Sequence, residues 1–171
     1  QLGFPTIFNF LGPLSNPCNA GRQLLGVWVD RFVVPMAEAL LRGGTIKSAV
    51  VHSKDGLDEV SISAPTRMVL IADGKLVESM IDPEDLGLSL SNMEDLVAHD
   101  LKEATRFVRD SVSGVLSGGV REMVVINVAL GLFLADRVQD LSEGVQMANK
   151  TIDSGRANET LVNWAKISFS K

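Results

Sequence analysis

The sequence contains one cysteine, Cys18, which excludes an internal disulfide framework and fits a reducing, cytoplasmic compartment. Basic residues are in the minority: 16 Lys and Arg stand against 21 Asp and Glu, a formal net charge of −5. Binding to a nucleic-acid backbone draws on clustered Lys and Arg, so nucleic acid is not expected as a partner. The longest apolar run, residues 123–135, is too short to span a bilayer and is broken by Asn127, so no membrane partner is expected. The two histidines, His52 and His99, are unpaired. A lone histidine is more often a hydrogen-bonding structural residue than a ligand. Cys18 has no helix N-terminus or base beside it, which favours a bystander thiol over a nucleophile. No Walker loop, and no Gly-x-Gly-x-x-Gly after a strand, supplies a phosphate cradle. The opening Gln1-Leu2-Gly3-Phe4-Pro5 has none of the parts of a secretory signal and reads as the middle of a fold.

What is present suits a folded core. Of the 171 residues, 46% are hydrophobic and 22% charged, enough apolar surface to exclude wholesale disorder. Residues 23–29 read as a short buried strand. Asp30 then offers a helix N-cap, and Pro35 falls early in the helical stretch, where a missing N–H does little harm. Met36, Ala37, Leu40 and Leu41 recur at helical spacing until Gly43-Gly44. Residues 46–52 form a second strand, completing a βαβ unit whose strands run parallel. Residues 60–63 and 68–72 are expected to be extended, and Asp73-Gly74 turns a hairpin into 75–81. Further on, 101–116 is one amphipathic helix closed by Gly118-Gly119, and 121–135 is apolar nearly all round and therefore buried. Helices over 141–152 and 158–169 close the chain. The expected class is α/β: part of a largely parallel sheet flanked by helices, with a β-hairpin and a helix-rich C-terminal half.

Two stretches could carry chemistry. Residues 52–59 begin where the second strand ends, and open α/β sheets bind ligands outside the carboxyl ends of their strands. There Asp58 and Glu59, with Asp55 three residues earlier, offer hard oxygen ligands suited to Mg2+, which takes one or two protein carboxylates and keeps waters and phosphates. The alternative is a solvated acidic loop in which Gly56 only makes a turn. The second stretch runs from Asn9 to Pro17 and includes Gly12-Pro13. Its short, conformationally restricted residues could wall a path for a flat aromatic substrate, or could form a plain structural turn.

Taken in order, Thr-Ile-Phe-Asn-Phe-Leu-Gly-Pro-Leu-Ser-Asn-Pro at 6–17, the strand at 22–27 and Val-Val-His-Ser-Lys-Asp-Gly-Leu-Asp-Glu at 50–59 resemble anthranilate phosphoribosyltransferases. The resemblance continues through Ala64-Pro65-Thr66 and 118–135, so it covers essentially the whole chain. It implies that residues 1–171 are the C-terminal portion of the family's α/β domain, without the N-terminal helical domain and donor-binding loop. It implies Mg2+-dependent transfer of phosphoribosyl from phosphoribosyl pyrophosphate (PRPP) to anthranilate. The products would be N-(5-phosphoribosyl)anthranilate and pyrophosphate, a step of tryptophan biosynthesis. By the same resemblance Asp58 and Glu59 bind the metal, while Gly12 and Pro13 line the anthranilate path. No catalytic residue is assigned.

The sequence also departs from the family pattern. Ser53 stands where the family has Gly, Ala98-His99-Asp100 replaces Gly-Gly-Asp, and Thr105 replaces Asn or Ala. The family's Gly-Thr-Gly-Gly-Asp loop and Lys-His-Gly-Asn segment have no counterpart here. The chain alone is therefore expected to be inactive, and the complete enzyme to be a homodimer joined through its helical domain. Two other readings stand beside this one. One is a pyrimidine nucleoside phosphorylase relative of the same fold. The other is a non-catalytic remnant whose uncovered surfaces self-associate or bind the N-terminal portion.

Overall fold

Short runs of apolar and small residues give strands β1 (Arg22–Gly26) and β2 (Lys47–Ser53), with helix α1 (Val33–Arg42) between them. The computed structural model describes residues 12–15 and 20–169. β1 and β2 pair in parallel from Arg22 opposite Lys47 to Gly26 opposite Val51, as the βαβ pattern requires. Side chains along β2 alternate between two cores. Val50 joins Val33, Met36, Ala37 and Leu40 of α1 on one face, whereas Ala49 and Val51 belong to the core on the other.

Asp30 does not cap α1. The helix begins three residues later, after a single turn of 3-10 helix (Asp30–Phe32), and the Asp30 carboxylate instead meets Arg67 Nη1 at 2.8 Å. Pro35 lies in the first turn of α1, where an N–H would have no intrahelical partner.

β3 (Thr66–Ala72) and β4 (Lys75–Ile81) complete a sheet of order β1-β2-β3-β4. Asp73 (φ 52°) and Gly74 (φ 69°) both adopt positive φ, the requirement of a two-residue hairpin turn. Only β1–β2 is parallel; β2–β3 and β3–β4 are antiparallel. The chain passes from β2 to β3 through residues 54–65 without a crossover helix, so it must return antiparallel. Residues 60–63, expected to be extended, lie in this irregular connection, with Val60, Ser61 and Ile62 fully buried.

The rest is helical: α2 (Leu101–Ser113), α3 (Gly119–Leu134), α4 (Leu141–Asp153) and α5 (Arg156–Phe169). Asp100 caps α2 by accepting from the Glu103 N–H at 2.7 Å, and Glu103 reaches back to the His99 N–H at 3.0 Å. The pair at Asp140 and Glu143 opens α4 in the same way. α2 ends earlier than its periodicity suggests. Gly114 takes φ 76° at its C-cap, while Gly118 is the N-cap of α3 and closes nothing.

α3 is the buried helix, as its apolar sequence requires: Val125, Ile126, Ala129, Leu130 and Leu134 pack beneath Ala49, Val51 and Met68. α4 approaches it at Gly144, where a Cβ would lie 2.9 Å from Ala129 Cα. α2 differs, since it buries only Ser111 and leaves Leu101 84% and Val108 57% exposed. With α5 it borders an open, largely apolar hollow of about 640 Å³, lined by Leu101, Ala104, Val108, Leu161, Val162 and Ala165. Among the described residues, no helix is long and apolar enough to cross a membrane.

Candidate functional site

β2 delivers the chain to the carboxyl end of the parallel pair, and the acidic loop starts there. The loop closes on itself through backbone bonds. The Ser53 N–H donates to the Leu57 carbonyl at 2.9 Å, the Gly56 N–H to the Ser53 carbonyl at 3.0 Å, and the Lys54 N–H to the Pro65 carbonyl at 3.0 Å. Gly56 supplies the positive φ (97°) that this turn requires.

Asp55 organises the inside of the loop. One carboxylate oxygen accepts from the Leu57 N–H at 3.1 Å; the other accepts from the Ser61 hydroxyl at 2.5 Å and from the Ser63 hydroxyl. Partial burial pushes this carboxyl up, but the hydrogen bonds from Ser61, Ser63 and Leu57 outweigh it and hold the pKa below the ordinary carboxylate value. Asp55 is thus committed to the loop's own structure.

Asp58 and Glu59 are different. Both side chains are exposed, and neither makes a hydrogen bond or ion pair among the described residues. Their backbone, however, is fixed on both sides. Below Asp58, Gly26 at the end of β1 leaves room for its carbonyl: a Cβ on Gly26 would stand 1.4 Å from the Asp58 oxygen. After Glu59, Val60 is held by Asn127 of α3. Asn127 Oδ1 accepts from the Val60 N–H at 3.0 Å and its Nδ2 donates to the Val60 carbonyl at 2.8 Å.

Two adjacent, uncommitted carboxylates on a fixed backbone suit Mg2+, which draws one or two carboxylates from a protein and completes its octahedron with water and phosphate oxygens. They do not form an all-protein cage. Among the described residues no group of three or more metal-ligating side chains exists.

Of the other residues singled out in the sequence, His52 precedes the loop and Ser53 opens it, whereas Pro13 lies elsewhere. His52 Nδ1 donates to the Val27 carbonyl at 2.7 Å, the structural role expected of a lone histidine. Ser53 is fully buried, and its hydroxyl has no hydrogen-bond partner among the described residues. Pro13 lines a hollow of about 320 Å³ with Gly21, Gln23, Leu40, Gly43 and Thr45, at the start of β1 and the end of α1. Asp58 sits at the opposite end of β1, roughly 13 Å of strand away. The structure thus gathers Asp55, Asp58 and Glu59 on one loop and sets the Gly12-Pro13 turn apart from them. Residues 9–11 and 16–17 of the second stretch, and Cys18 after it, lie outside the described residues.

Gly26 and Asn127 shape the site without standing out as site residues in the sequence. Each left a trace, a glycine inside a strand and an amide inside an apolar helix, but neither trace says which loop it serves.

Residues 1–158, which carry this sheet and its acidic loop, match a known class: the chain belongs to the glycosyl transferase family, a/b domain. Its relatives include the anthranilate phosphoribosyltransferase of Thermoanaerobacter sp. (strain X514), 42% identical over 161 residues, which are 94% of this chain and 47% of that protein. The crystal structure of anthranilate phosphoribosyltransferase from Thermus thermophilus matches with a TM-score of 0.86 and 33% identity, over 95% of this chain and 48% of that one. Anthranilate phosphoribosyltransferase from Saccharomyces cerevisiae in complex with PRPP and Mg matches with a TM-score of 0.82 and 29% identity, over 94% and 46%. The chain therefore spans about half the length of the curated relatives it matches.

Proposed function

We propose that this chain contributes the metal-binding carboxylates and one lobe of an anthranilate phosphoribosyltransferase acting in tryptophan biosynthesis. The observation that carries this reading is the pair Asp58 and Glu59, exposed and unengaged on a doubly held backbone, within a chain that resembles these transferases along its length.

In this reading Asp58 and Glu59 would hold Mg2+ together with water and the donor's pyrophosphate oxygens. Bound there, the ion supplies charge neutralisation to the departing pyrophosphate. The C1–O bond of the donor breaks toward pyrophosphate, the anthranilate nitrogen gives its lone pair to C1, and the amine then loses a proton. That attack needs position more than activation. The acidic loop's contribution is to present two carboxylates in one fixed geometry, with Asp55 holding the turn from inside. Gly12 and Pro13 are proposed for the wall of the acceptor path on the strength of resemblance alone. Alanine at Pro13 in the complete enzyme should then raise the KM for anthranilate.

The sequence carries no glycine-rich motif of the kind that cradles phosphates, and activity is proposed to require the half of the relatives' length that this chain does not span. We place that other half against the apolar hollow between α2 and α5, because a face this apolar and this exposed is normally covered. The complete enzyme is proposed to be a cytoplasmic homodimer. The test is formation of phosphoribosylanthranilate from PRPP and anthranilate. This chain alone should give none, and its mixture with the complementary half of a relative should restore turnover. Robust turnover by the chain alone would overturn the inactivity, and phosphorolysis of a pyrimidine nucleoside without use of anthranilate would favour the phosphorylase reading.

A further inference from the structure

Asn127 is the one amide in an otherwise apolar face of α3, between Ile126 and Ala129, both buried in the core. Placing an amide there is unfavourable unless each polar atom is paired. All of them are put to use: Oδ1 accepts from the Val60 N–H, while Nδ2 donates to the Val60 carbonyl at 2.8 Å and to the Met123 carbonyl at 2.9 Å. An amide bound to both backbone groups of one residue acts as a short length of partner strand. It fixes the rotation of Val60 and hence the exit direction of Glu59. Val60 is itself fully buried, so the residue cannot slide in its seat. On the other side, Gly26 seats the Asp58 carbonyl.

We infer that Asn127 is a positioning residue: through Val60 it holds the Asp58–Glu59 pair in the geometry that receives a divalent cation. This inference rests on the metal reading above. Were Asn127 only a packing element, an apolar residue would serve α3 as well, and its loss would loosen the core without selecting the acidic loop.

The experiment uses the chain itself with Mn2+ alone as the probe, followed by paramagnetic broadening, together with amide hydrogen exchange without metal. Asn127→Leu preserves the apolar face of α3 but cannot pair with Val60. Asn127→Ser guards against an overpacked core. Partners that orient a metal ligand are commonly worth about 10- to 100-fold in metal affinity. Both variants should weaken Mn2+ binding by about tenfold or more, and should speed exchange at the Val60 amide by a similar factor relative to α3 amides such as Val125 and Ala129. Exchange at Val60 that rises only in step with α3 would overturn the inference. So would unchanged Mn2+ affinity in the Asn127 variants when Asp58→Asn with Glu59→Gln abolishes binding. If the wild-type chain and that double variant bind Mn2+ alike, the metal reading itself fails and the inference falls with it.

Discussion

Gly26 and Asp58 touch backbone to backbone: the space a Cβ would occupy on Gly26 is filled by the Asp58 carbonyl oxygen, 1.4 Å from the ideal Cβ position. The end of β1 is therefore the floor of the acidic loop. Glycine is required here for close approach and not for positive φ, since Gly26 is absent from the positive-φ residues.

Gly26→Ala should push the Asp58 backbone off this floor. Overpacking of this kind costs about 1–3 kcal/mol, which urea unfolding of the chain would report. The displacement should also reach metal affinity, so Mn2+ binding should weaken alongside stability. Unaltered stability and unaltered binding together would mean that the loop does not rest on β1.

Asp55 ties stability to pH. Its folded pKa lies below the ordinary carboxylate value, because Ser61, Ser63 and the Leu57 N–H bond the ionised form. A depressed pKa contributes stability that is fully present above the unfolded value, roughly pH 4, and is lost as pH falls through the folded one. Asp55→Asn should therefore destabilise the chain at neutral pH, and the gap from wild type should narrow on acidification below about pH 4. Unfolding measured across roughly pH 2–7 checks this; a gap independent of pH would contradict it.

The face formed by α2 and α5 should govern association with the other half of the fold. Leu101 and Val108 are 84% and 57% exposed in the chain alone, so Leu101→Glu with Val108→Glu should leave its folding intact. The same pair should prevent assembly with the complementary half of a relative, as read by light scattering. Assembly that proceeds unchanged would place the contact elsewhere.

How much of this could be read from the sequence follows from the range of each signal. The βαβ unit and the hairpin were legible because their determinants are local: short apolar runs, Pro35 in a first turn, and Asp73-Gly74 with two positive φ angles. The end of α2 was not, because Gly114 and Gly118 both carry positive φ, and only the fold shows that the first ends a helix and the second begins one. Asp30 invited a cap that α1 starts too late to use. The acidic loop was visible as a motif, but what holds it was not. Asn127 lies 67 residues from Val60, a pairing that no local pattern encodes.

The central claim is that Asp58 and Glu59 hold the divalent ion on which the transfer depends. Its most direct test is the Mg2+ titration of phosphoribosylanthranilate formation in the assembled enzyme, comparing wild type with Asp58→Asn, Glu59→Gln. Outer partners of a metal site already cost roughly tenfold or more, so losing both carboxylates should raise half-saturating Mg2+ by more than that. An Mg2+ titration identical to wild type would contradict the claim.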